Sequence, residues 1–112
     1  MNPSDLYSNA LSVLTNARST MLSPAWQASL DAATPAVRVA AGNQLIQLQG
    51  AILTLSNESL SDIATAMKAN EQALSQSTNA LTTALGDITK VQNLMNAVTS
   101  VLSVVAKIVP LL

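Results

Sequence analysis

The sequence predicts an all-α protein, and three observations predict it. Three prolines each follow a residue suited to cap a helix: Asn2-Pro3, Ser23-Pro24 and Thr34-Pro35. Apolar residues recur at spacings of three, four and seven, not two. No proline interrupts residues 36–109. A cap side chain accepts from an orphaned backbone N–H, and proline at the first helical position gives up no needed donor. The expected elements are helices over 3–22, 24–33, 35–57 and 59–109, arranged as a helical hairpin or bundle with long coiled-coil-like arms. The 112 residues make one domain, with short helices in 1–34 and heptad-bearing helices in 35–112.

The first helix places Asp5 three residues after Asn2, where a carboxylate suits the positive helix end. Leu6, Ala10, Val13, Leu14, Ala17 and Met21 form its apolar face. The second is short, and Trp26, Leu30 and Ala33 bracket it between longer neighbours. A lone tryptophan can be a binding anchor, but it is more often a core residue, and Trp26 is read as core.

Beyond Ala36 a seven-residue repeat runs unbroken through Val39, Ile46, Leu53, Leu60, Met67, Leu74, Leu81, Ile88, Met95, Leu102 and Val109. A repeat this long signals a coiled coil or a long bundle. Its companion positions are mixed: Gly42, Gln49, Ser56, Ile63, Asn70, Ser77 and Ala84, then Val91, Val98 and Val105. A second stripe, Leu45, Leu48, Ile52 and Leu55, stops at Ser59 and Asp62. That change of face favours a turn near 56–59 and an antiparallel hairpin over one continuous helix. Ser59 and Asp62 have capping-box spacing, and Gly86-Asp87 offers a second break.

The last twenty-five residues carry a narrow polar stripe, Thr89, Asn93, Asn96, Ser100, Ser103 and Lys107, on an otherwise apolar helix that ends in Leu111 and Leu112. That apolar arc is wider than a surface helix of a monomer needs. It can be the centre of its own bundle, a subunit interface or a membrane-inserted segment. The expected interface comprises Leu81, Ile88, Val91, Met95, Val98, Leu102, Val105 and Val109. Its polar positions and Lys107 make a poor lone transmembrane helix.

Composition narrows the function. Charged residues are 10% of the chain, against about 25% in an average soluble domain. The balance is 39 Ser, Thr, Asn and Gln residues, and the net charge is −1. Little electrostatic repulsion keeps copies apart, so association is expected. In composition alone the chain is similar to bacterial and phage assembly proteins, such as secretion-needle and ribbon-forming subunits. No motif carries that likeness: Trp26 is followed by Gln27 and Ala28, not by the Trp-x-Gly turn of small secreted helical hairpins.

With no histidine and no cysteine, a Ser–His site, thiol chemistry and His/Cys metal sites are excluded. Glu58 and Asp62 sit at helical contact spacing, but at a turn with no apolar pocket, which suits a solvated helix start better than acid–base chemistry. Arg18, Arg38, Lys68, Lys90 and Lys107 are dispersed, so nucleic-acid binding is not expected. The expected protein is a non-enzymatic, cofactor-free helical subunit that forms homo-oligomers. A membrane-active bundle and a helical adaptor or chaperone for a partner protein are the alternatives. The polar start, MNPSDLYSNA, is not an ordinary signal peptide, so a cytoplasmic protein or one exported by another route is expected.

Overall fold

In the computed structural model, which describes residues 2–109, the chain folds into six α-helices. These are α1 (Pro3–Met21), α2 (Pro24–Asp31), α3 (Pro35–Asn57), α4 (Leu60–Ala69), α5 (Glu71–Leu85) and α6 (Val91–Val105). Leu111 and Leu112 lie outside the described residues.

The three capped starts form as expected. Asn2 Oδ1 accepts from Asp5 N–H at 2.8 Å, Ser23 Oγ from Trp26 N–H at 3.2 Å, and Thr34 Oγ1 from Val37 N–H at 3.3 Å. The turn between Asn57 and Leu60 also falls where the stripe ends. It is made differently from the expected capping box. Ser59 Oγ bonds to Ser61 Oγ, and Asp62 N–H donates to the Ser59 carbonyl.

The expected helix over 59–109 is three helices. At Asn70 the side-chain Nδ2 donates to the Ala66 carbonyl at 2.8 Å, competing with the helical ladder. Its backbone takes φ −107° and ψ 15°, outside the helical range. The second break spans 86–90. Gly86 ends α5, and Asp87 Oδ1 accepts from Thr89 N–H at 3.2 Å, which fixes a turn before Val91.

α1 is the organising helix. Its buried face is Leu6, Ala10, Val13, Leu14, Ala17 and Met21, the face expected. It touches α2, α3, α4 and α5. The phenol of Tyr7 donates to the Leu55 carbonyl at 2.9 Å, tying the start of α1 to the end of α3. α5 and α6 pair most extensively, and α3 closes over α6. The arms on either side of the 57–60 turn are therefore not the expected hairpin: α3 rests on α1 and α6, while α4 rests on α1 and α5. The accessible surface is 5924 Å² for an 11.6 kDa chain, close to the roughly 5,800 Å² of a compact monomer of that mass.

Candidate functional site

The residues expected to form an interface go inside one copy. Leu81, Val98, Val105 and Val109 are at most 2% exposed, and Met95 and Leu102 are buried. Ile88 and Val91 are half-buried against the same core. The expectation that the C-terminal helix has more apolar circumference than its own chain can cover is thereby corrected. α5 and α3 cover α6 on its apolar sides, and Thr89, Asn93, Asn96, Ser100, Ser103 and Lys107 remain as an exposed polar stripe.

One buried polar contact holds α3 on α6. Gln44 Nε2 donates to the Met95 carbonyl at 2.8 Å and to Thr99 Oγ1 at 2.9 Å. Its Oε1 finds no donor among the described residues. A buried acceptor without a partner costs about 1–3 kcal/mol, whereas an apolar isostere removes that cost. Thr99 Oγ1 would retain its own bond to the Met95 carbonyl. Gln44→Met is therefore expected to raise unfolding stability by about 1 kcal/mol. Gln44→Glu, which buries a carboxylate against a carbonyl, is expected to lower it by more. Urea denaturation of the two variants checks both signs.

Among the described residues four large apolar side chains stand open: Leu22, alone at the C-cap of α1, and three that share α3. Val39 is 64%, Ile46 69% and Leu53 63% exposed. These are the first three members of the heptad series. α3 buries another set, Ala41, Gln44, Leu48, Ala51 and Leu55, again spaced three and four apart. The helix thus carries two seams: one serves this fold and the other faces outward.

Gly42 and Gly50 lie on the outward seam. A Cβ at either position would meet nothing within 4 Å. Each glycine inside an exposed helix costs about 1 kcal/mol relative to alanine, and the packing of this chain requires neither. By contrast, a Cβ on Gly86, at the α5 C-cap, would come within 3.2 Å of the Thr83 carbonyl.

Charge contributes little elsewhere. Lys68 and Glu71 pair at 3.0 Å, and the hydrogen bond from Lys68 holds the Glu71 carboxyl below its ordinary pKa. The bond from Thr89 does the same for Asp87, whose other oxygen lies 3.9 Å from Lys90 Nζ. An open groove of about 500 Å³ between α5 and α6 is lined by Asp87, Lys90, Asn93, Asn96 and Ser100 among others. All five are exposed, and none is a buried polar group aimed into it. Among the described residues no three acidic side chains gather where a metal ion could sit. No helix among them is long and apolar enough to cross a membrane. Among the described residues, the fold and this surface define a helical bundle with one uncovered apolar seam. No protein-family model matches the chain, and neither curated proteins nor solved structures give a match.

Proposed function

We infer that the protein is a non-enzymatic helical subunit that associates with copies of itself, and that it does so through the outward seam of α3. The observation that carries this reading is the row Val39, Ile46 and Leu53, each more than three-fifths exposed on a helix that already buries a separate apolar set. Scattered surface apolar residues are ordinary; a row of them on one helix marks an interaction site. The sparse charge supports it, because a net charge of −1 sets up little repulsion between copies.

Sedimentation velocity over a range of concentrations tests the reading. The mass is expected to rise above 11.6 kDa as concentration increases into the high micromolar range. Ile46→Glu is expected to return the protein to a single copy. Its unfolding stability should change by no more than about 0.5 kcal/mol, as for other surface substitutions. A wild-type chain that stays monomeric throughout would remove the proposal.

A further inference from the structure

We propose that the outward seam of α3 is self-complementary and joins two copies of this chain in an antiparallel, two-fold symmetric helix pair centred on Ile46. The inference rests on the self-association argued above and adds the partner's orientation and the points of closest approach.

The seam reads alike in both directions from Ile46. Asn43 and Gln49 stand three residues away on either side, Gly42 and Gly50 four, Val39 and Leu53 seven. All seven positions are exposed. At 100° per residue they fall within an arc of about 120°. A symmetric dimer uses one patch twice, so residue i meets j and j meets i. In an antiparallel pair a position below Ile46 meets its counterpart above it on the other copy. Val39 then lies beside Leu53, and Ile46 packs on Ile46 at the axis. Each amide falls on a glycine: Asn43 over Gly50 and Gln49 over Gly42. The missing Cβ atoms provide the room, which is the use that this chain's own packing does not give them.

Charge and area also fit a second copy. None of the seven residues is charged, so nothing on the seam repels itself. The nearest charge, Arg38, donates through Nη1 to the Asp31 and Ala33 carbonyls, each at 3.3 Å, and is drawn toward the α2–α3 junction. Antiparallel pairing also opposes the two helix dipoles. The knobs run from Val39 to Leu53, fourteen helical rises or about 21 Å. Such a contact buries on the order of 1,000 Å² in total, near the lower limit for a specific interface, which fits a dimer that forms and dissociates readily.

The glycines and the absence of cysteine provide the test. Gly42→Ala with Gly50→Ala removes two helix-weakening residues, so the isolated fold is expected to melt several degrees higher. The same pair of methyl groups is expected to raise the dimer dissociation constant at least tenfold. Orientation is read by oxidation. Ile46→Cys should form a disulfide-linked dimer. Val39→Cys alone should not, because its copies would lie about 21 Å apart, beyond the reach of a disulfide. Val39→Cys mixed with Leu53→Cys should give the mixed dimer. Association that survives both alanines, with Ile46→Cys unlinked, would overturn this geometry while leaving self-association standing. Linking through Val39→Cys alone would show a parallel pair and overturn the orientation. A wild-type chain that never associates would overturn both proposals.

Discussion

Replacing Val105 with glutamate is expected to unfold the chain. Val105 is 1% exposed near the end of α6, among Val98, Val101, Leu102 and Val109 of the core. A carboxylate there loses its hydration and gains no partner: the nearest charged residue in sequence, Lys107, points into the exposed stripe. Burying an unpaired charge is among the few single changes that cost more than about 4 kcal/mol, a large part of the 5–15 kcal/mol that holds a domain together. Far-UV circular dichroism at neutral pH should show most of the helix signal lost. Burial raises the pKa of the introduced carboxyl in any residual folded state. The penalty is therefore full above that raised value and shrinks as pH falls toward the unfolded value near 4.3. Acidification should restore part of the signal. A variant that kept its full helix content but lost assembly would place Val105 at an interface instead of in the interior.

Truncating Trp26 to alanine is expected to cost about 3–5 kcal/mol without abolishing the fold. The indole is 1% exposed on the eight-residue α2, whose only other buried residue is Leu30. It lies with Met21, Leu30, Ala41 and Leu45 around a cavity of about 150 Å³, so it is the larger of the two buried side chains that pack α2 against α1 and α3. Removal enlarges a space that the capped ends of α2 and α3 cannot collapse to fill. Thermal melting followed by circular dichroism should shift down by roughly 10–20 °C. A shift of one or two degrees would mean that α2 is held mainly by its capping bonds.

The two changes bear on what the sequence could convey. Helix starts were legible wherever a cap residue precedes proline, because the hydrogen bond involved is local. The buried face of α1 was legible in full, because one stripe with one period leaves one way to bury it. The breaks at Asn70 and at 86–90 were less so. Asn70 sits at a heptad companion position, and nothing in the heptad pattern marks its side-chain bond to the Ala66 carbonyl. The long heptad series misled most. Its first three members lie on the outside of α3, while Met67, Leu74 and Leu81 point inward from α4 and α5. Periodicity reports that residues share a face; it does not say which neighbour that face meets. The second stripe in α3, Leu45, Leu48, Ile52 and Leu55, ran beside the first; Leu48 and Leu55 are buried, Leu45 and Ile52 half-buried, and Ala41, Gln44 and Ala51 complete the inner face. Within one copy α1 and α6 pack on the inner phase of α3, and Val39, Ile46 and Leu53 of the other phase stay exposed.

The 10-residue α4 introduces a different kind of unevenness. Its Ser59 start has no side-chain cap, and it buries only Ile63 and Met67. Its neighbour α1, by contrast, starts from a capped end and buries six apolar residues. Such a molecule does not breathe as one body. Local opening is cheapest where burial and capping are thinnest, so amide hydrogen exchange is expected to run faster over residues 60–69 than over α1.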